Sequence, residues 1–219
     1  MTGGTRTTVR TPRTPRIVLD PAERRGQILA AAEAAFARRG ISRTTMSDVA
    51  REAGVTRGLV YHYFPEHAVL VDAVLDRQVE EFVASVRAWD AARQVGEVDR
   101  ALRDVVAIFR AHLRSTDPLR VDLHRVENAA LNQRFVDRAV TAVVDCLQLT
   151  TVEAYAARHA IAIAYVRETF LVLVHGLVAL VRAQRDVPDE VLVAIARQVL
   201  RLDVVTDPPA TEPARHEES

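Results

Sequence analysis

From Asp20 onward the apolar positions of the chain recur at intervals of three and four, the period of an amphipathic helix, and the strict alternation of a half-buried strand is missing. Ile28, Ala32, Ala35 and Phe36 fall on one face, and helix punctuation bounds them: Asp20 as N-cap, Pro21 at the first helical position, Glu23 three residues after the cap, and Gly40 following Arg38 and Arg39. The spacing predicts a first helix over Pro21–Arg39. In the next unit Thr45 caps a helix with Asp48 at its third position, Val49, Ala50 and Ala53 face inward, Gly54 breaks the helix, and Val55 plugs the turn. Thr56 then caps a short helix from Arg57 to about Tyr63, with Val60 and Phe64 inward and Arg57, Gly58, Tyr61 and His62 outward. Helix, glycine turn and short helix make a helix-turn-helix.

Pro65 and Glu66 restart the chain into a long helix striped by Leu70, Val74, Phe82, Val86 and Trp89, and Gly96 falls in a loop. Further helices are predicted over about Asp99–Arg114, Pro118–Glu127 and Asn128–Leu149. Thr150 and Glu153 read as a capping box opening a long helix to about Gln184, and Pro188, Asp189 and Glu190 open a last one ending near Leu202. The expected fold is all-α with about nine helices. Residues 1–19, rich in Thr, Arg, Pro and Gly, read as a mobile basic arm, and 203–219 as a disordered tail; 20–66 form the helix-turn-helix domain and 67–202 a helical body. Ile161–Val181 approaches the roughly 20 residues of a bilayer helix, but Arg167, Glu168 and His175 interrupt it, so a buried helix is expected.

Charge changes this picture. The 219 residues hold 29 arginines, no lysine and 29 acidic residues, so the net charge is zero. Up to His67 there are 11 arginines against 6 acids, and beyond it 18 against 23. A basic first third joined to an acidic remainder suits a head that meets a polyanion and a body that does something else, although drift of composition explains the split alone about as well. With 49% hydrophobic and 26% charged residues the chain can build a real core and is neither a membrane protein nor wholly disordered. The single cysteine, Cys146, permits no internal disulfide and no cysteine cluster for zinc, and points to a reducing, cytoplasmic compartment. Arg6, Arg10, Arg13 and Arg16 are followed by no apolar run of signal-peptide length.

Signs of catalysis are weak. Cys146 with His159 or His175 is the one nucleophile pairing on offer, yet it lies in an apolar stripe with Val143, Val144 and Leu147, where a lone cysteine behaves as a small hydrophobe. The seven histidines show no HxxxH spacing, and neither a phosphate loop nor a nucleophile elbow is present. No catalytic residue, metal or cofactor is therefore expected. An all-helical enzyme and a protein-interaction module that does not read DNA remain the alternatives.

The stretch Thr44–Leu70, TTMSDVAREAGVTRGLVYHYFPEHAVL, closely resembles the DNA-binding signature of the TetR (tetracycline-repressor-like) transcriptional regulators. Thr45, Val49, Ala50, the Ala53-Gly54-Val55 turn, Thr56, Gly58, Tyr61, Phe64 and Leu70 carry the resemblance, which covers roughly residues 20–72. It implies an N-terminal three-helix DNA-binding domain followed by a helical ligand-binding and dimerisation domain. The function it implies is a ligand-responsive regulator, a repressor in most such proteins, that binds a palindromic double-stranded operator as a homodimer and is released by a small molecule. Thr56 caps the recognition helix, base reading falls to Arg57, Gly58 and Tyr61, and phosphate contact to Thr45, Leu59, His62, Tyr63 and His67. Two positions depart from the pattern: Leu59 stands where a hydroxyl residue is usual, and His67 where a lysine is usual. The arm could follow a groove of DNA or be a solvated tail.

For the body, the resemblance implies a two-fold interface on the last two helices. Leu171, Val174, Val178 and Val181, with the small Gly176 and Ala179, then Val191, Leu192, Ile195 and Val199, are its expected residues, unless that stripe is the chain's own core. Effector contacts are expected among aromatic and polar residues within aliphatic helices, namely Phe109, His112, Phe135, Tyr155, Tyr165 and His175, each of which could equally be a satisfied core residue.

Overall fold

Local signals place the first three helices where they are expected. In the computed structural model, which describes residues 20–94, 96–157, 161 and 163–202, α1 is Pro21–Arg39, α2 Met46–Glu52 and α3 Arg57–Tyr63. The backbone amide of Asp20 donates to the Glu23 carboxylate at 3.2 Å, closing the first turn. Gly40 ends α1 at φ +85°, a conformation that an L side chain rarely adopts. The arm 1–19, the tail 203–219 and His159 lie outside the described residues.

The remaining helices are α4 His67–Ala92, α5 Val98–Leu113, α6 Pro118–Leu123, α7 Ala129–Leu147, the single turn α8 Glu153–Ala156, α9 Val166–Ala183 and α10 Asp189–Val199. The fold is all-helical, with no strand among the described residues. Two expectations are corrected. The helix predicted over 118–127 stops at Leu123, and a tight turn at Val126–Asn128 follows. There the Asn128 amide donates to the Asp122 carbonyl at 2.8 Å and turns the chain back on itself. The long helix predicted over 150–184 is broken. A widened turn at Gln148–Val152 replaces its start, where Thr150, Thr151 and Val152 crowd three β-branched residues together and the Thr150 hydroxyl donates to the Cys146 carbonyl at 3.0 Å. Helix α9 begins only at Val166, behind Tyr165 in the left-handed region at φ 52°, from which a right-handed helix cannot propagate.

Helices α4 and α7 pack side by side through the middle of the molecule, and one apolar core runs from Ile28, Phe36 and Phe64 in the head through Leu70 and Phe82 to Val143 in the body. A smaller cluster of Val106, Val181, Val187 and Leu192 lies under α10. Head and body meet a second time at Asp122 of α6, which is only 5% exposed. Its carboxylate accepts from the Ile41 amide at 2.7 Å and the Asn128 amide at 3.1 Å, and Arg125 lies 3.3 Å away. A Cβ at Gly40 would stand 2.8 Å from the same carboxylate, so glycine is required there twice over, by φ and by space.

Candidate nucleic-acid interface and effector cavity

The head is held together by short-range polar pairs around an apolar seed. The Thr45 hydroxyl accepts from the Asp48 amide at 3.2 Å and donates to the Asp48 carboxylate at 2.7 Å, and the Thr45 amide donates back at 3.0 Å. Hydrogen bonds from the Thr45 side chain and backbone, with help from Arg39 and Arg51, hold the Asp48 carboxyl down at about 2. Across the turn the Gln27 amide donates to the Ala53 carbonyl at 3.0 Å, and Arg38 pairs with Glu52. The Arg25 guanidinium sits 5.0 Å from the centre of the Phe64 ring. These contacts set the angle between α1 and the α2–α3 pair.

Helix α3 starts at Thr56, whose hydroxyl accepts from the Leu59 amide at 3.2 Å. With Val60 and Phe64 buried, the opposite side presents Arg57, Gly58, Tyr61 and His62 to solvent. Arg57 is preset: its guanidinium donates to the Tyr61 hydroxyl at 3.1 Å and lies 5.2 Å from that ring's centre. A Cβ on Gly58 would meet nothing within 4 Å, so no neighbour in the fold demands glycine there. Leu59 and Tyr63 are half-buried, Tyr63 edge-on to His62 at 5.3 Å, and Thr45 and Thr56 stay exposed at the cap positions of α2 and α3. His67, at the first position of α4, turns edge-on to Phe36 at 5.8 Å with its Nε2 buried and unpartnered. Its ring therefore faces the core of the head, and its backbone amide stands among the open N–H groups of the α4 N-terminus.

The effector residues read from the sequence separate into groups. Phe109, His112 and Phe135 come together with Phe82, Arg120 and Val140 around a gap of about 50 Å³ between α4, α5 and α7. His112 stacks obliquely on Phe82 at 4.1 Å, its Nδ1 is 3.0 Å from the Ile108 carbonyl, and burial pushes its pKa down. Tyr155 lines a different cavity of about 150 Å³ bounded by Trp89, Leu102, Val105, Leu147, Phe170 and Leu200. An adjoining chamber of about 80 Å³ shares Leu102, Val105, Leu147, Phe170 and Leu200 with it and extends toward Val181 and Leu192. Tyr165 is 80% exposed and His175 half-buried, and neither lines these spaces. Sequence reasoning missed most of this wall because its residues are aliphatic. The only available signal was the excess of apolar residues on α5 and α9 over what one packing face needs.

Residues 28–74 match the sequence model of the family described as "Bacterial regulatory proteins, tetR family". The N-terminal domain is thus similar to the DNA-binding domain of the TetR family. The chain is 40% identical over 87 residues to the HTH-type transcriptional regulator TtgR of Pseudomonas putida, covering 40% of this chain and 41% of TtgR. It is 56% identical over 54 residues to the probable HTH-type transcriptional regulator ArpR of the same species, covering 25% of this chain and 26% of ArpR. The matches thus span less than half the length of either relative. In fold, the TetR family repressor AlkX from Dietzia sp. superposes with a TM-score of 0.57 at 21% identity, over 83% of this chain and 97% of AlkX.

The TetR resemblance directs attention to α9 and α10, where the expected interface residues divide. Val174, Val178, Val181 and Leu192 are buried in the chain's own core, against α5 and α7, while Leu171 and Ile195 are half-buried. The face of α9 left outward is a different one, with Val172 at 74% exposure and Gly176 and Ala179 beside it. On α10, Val191 and Val199 are exposed one helical face apart from Leu192. Cys146 is buried, no cluster of metal-ligating side chains occurs among the described residues, and no helix there is long and apolar enough to cross a membrane.

Proposed function

We propose that the chain is a DNA-binding transcriptional regulator that reads a palindromic operator as a homodimer in the cytoplasm, represses by occupying it, and is released by a small molecule. The observation that carries this reading is the outer face of α3. A glycine inside a helix costs about 1 kcal/mol relative to alanine, and no neighbour in the fold requires one at Gly58. Close approach of a partner surface does require it, and a base edge in a major groove is such a surface. Beside the gap stands Arg57, braced by Tyr61 so that its fork of donors points outward with less entropy left to lose.

Base reading falls to Arg57, Gly58 and Tyr61. Thr45, Thr56, His62 and Tyr63 border the backbone, Leu59 offers an apolar contact of the kind a thymine methyl accepts, and His67 contributes its amide rather than its ring. The outward residues Val172, Gly176 and Ala179 of α9, with Val191 and Val199 of α10, form the two-fold seam, since apolar and small residues in line allow close helix packing between copies. No enzymatic step is assigned to this chain.

Selection of genomic fragments by the purified protein tests the reading. A recovered palindrome, bound by two copies and lost on Arg57→Ala, is the expected result. A monomer that enriches no fragment at low salt contradicts it.

A further inference from the structure

The acidic body holds one group of arginines that its carboxylates leave alone. From Ala68 onward 23 acids face 18 arginines, and arginines such as Arg77, Arg110, Arg138 and Arg167 are paired. Arg114, Arg120, Arg182 and Arg185 are different: among the described residues none of them is hydrogen-bonded to or in salt-bridge contact with a carboxylate. Their neighbours hold them without neutralising them. Arg114 donates to the Arg185 carbonyl at 3.0 Å, which ties α5 to the turn after α9, and Arg182 donates to the Asn132 amide oxygen at 3.2 Å, which ties α9 to α7. The Arg120 guanidinium of α6 lies 5.2 Å from the centre of the Phe135 ring. His124, which ends α6, shares this corner: partial burial, and then the charges of Arg182, Arg120 and Arg185, push its imidazole below the ordinary value. Like charges from α5, α6, α9 and the turn after α9 are thus brought together, an arrangement that repels itself until an anion enters.

The surroundings say which anion. Arg114, Arg182 and Arg185 are open to solvent and Arg120 is half-buried, so the corner is reached from solvent. Carboxylates fringe it: Asp117 and Glu81 act on Arg120 from a distance, and Asp186 follows Arg185. A duplex or an anionic membrane laid across the corner would meet those acids; a compact anion would not. Planar guanidinium forks match the oxygens of a phosphate two at a time. We propose that Arg120, Arg182 and Arg185, with Arg114 and His124 beside them, bind a phosphate group, either as the free anion or as the phosphate of a small metabolite. The assignment does not depend on what α3 reads.

Calorimetric titration of the full-length protein without DNA, at constant ionic strength, tests it. Inorganic phosphate and glycerol 3-phosphate are each expected to bind saturably; an ester that binds no tighter than phosphate assigns the site to the free anion, and a tighter ester assigns it to a phosphorylated metabolite. Arg182→Gln together with Arg185→Gln should weaken both about tenfold or more with unchanged circular dichroism, since two charged hydrogen-bond donors are lost. Arg103→Gln, which removes an exposed arginine elsewhere on α5, should leave binding as it was. Arg185→Gln alone serves if the pair fails to fold. Absence of saturation, uptake undiminished in the substituted protein, or an equal loss with Arg103→Gln each overturns the proposal. So does a random-sequence duplex that binds more tightly than either phosphate and loses as much affinity in the double variant, because the corner would then be part of a nucleic-acid contact.

Discussion

The head, residues 20–66, and the helical body beyond it solve the same packing problem with different materials. In the head each helix start carries a capping side chain, the glycine turn is pinned by Gln27, and the apolar seed of Ile28, Phe36, Val49, Val60 and Phe64 is filled. In the body the helices are longer and more aliphatic, one is interrupted by a widened turn, and joined cavities lie between α5, α7, α9 and α10. Under the proposed function, a part that presents three side chains to a groove gains from many short polar locks, whereas a part that admits a guest keeps unfilled volume. The difference locates rigidity and compliance in the same chain.

The contrast is sharpest at Asp122, where the two regions are joined. Asp122→Ala strips the Ile41 amide, Asn128 and Arg125 of a buried partner and is expected to lower stability by about 3 kcal/mol in urea unfolding. Asp122→Asn, which keeps an oxygen acceptor, should lose clearly less; equal losses would mean that the joint works by packing rather than by charge.

Within the head, Arg57→Ala should weaken binding to a selected operator by about 1 to 3 kcal/mol while leaving the unfolding curve where it was. Thr56→Val reverses that pattern. It removes a helix cap and should cost about 1 kcal/mol of stability, with affinity falling as α3 frays and as the hydroxyl beside the DNA backbone is lost.

The two regions should also part company with pH. Burial pushes the His112 and His124 imidazoles of the body down. A folded-state pKa below the unfolded one means that the folded body holds fewer protons, so this stability is present above the unfolded histidine value and is lost as pH falls through the lowered folded value. In the head, Asp48 has its carboxyl lowered to about 2, so its contribution is present above the ordinary carboxylate range and is lost only as pH falls toward about 2. Unfolding followed by Trp89 should therefore lose ground between pH 7 and 5, where the histidines titrate, and His112→Phe should flatten that slope. Least of all, His67→Lys should steepen the salt dependence of operator binding by about one counterion, if the longer side chain escapes Phe36 to reach a phosphate; an unchanged slope leaves only the backbone amide of residue 67 in contact.

The head was legible because its instructions are local. Asp20, Pro21, Thr45, Gly54 and Thr56 each act on residues within four positions, and α1, α2 and α3 begin and end where those signals stand. In the body the same reasoning read Thr150 and Glu153 as a start signal and joined across Tyr165, because the capping pattern outweighed three consecutive β-branched residues and nothing nearby announces a left-handed backbone. The apolar stripe of α9 was visible, but its use was not. Val174, Val178 and Val181 serve α5 and α7, and Val172 on the other side is the one left uncovered.

What the amino-acid order determines alone is therefore the helical period, the caps and turns of the first three helices, the outward set Arg57, Gly58 and Tyr61, and the family that these resemble. Tertiary structure alone decided which face of α9 the core consumes, where Asp122 ties body to head, and that aliphatic residues from five helices enclose space. The physical reason is range. Hydrogen bonds of caps and turns close within a few residues, whereas burial and cavities depend on side chains brought together from some hundred positions apart, such as Trp89 and Leu200.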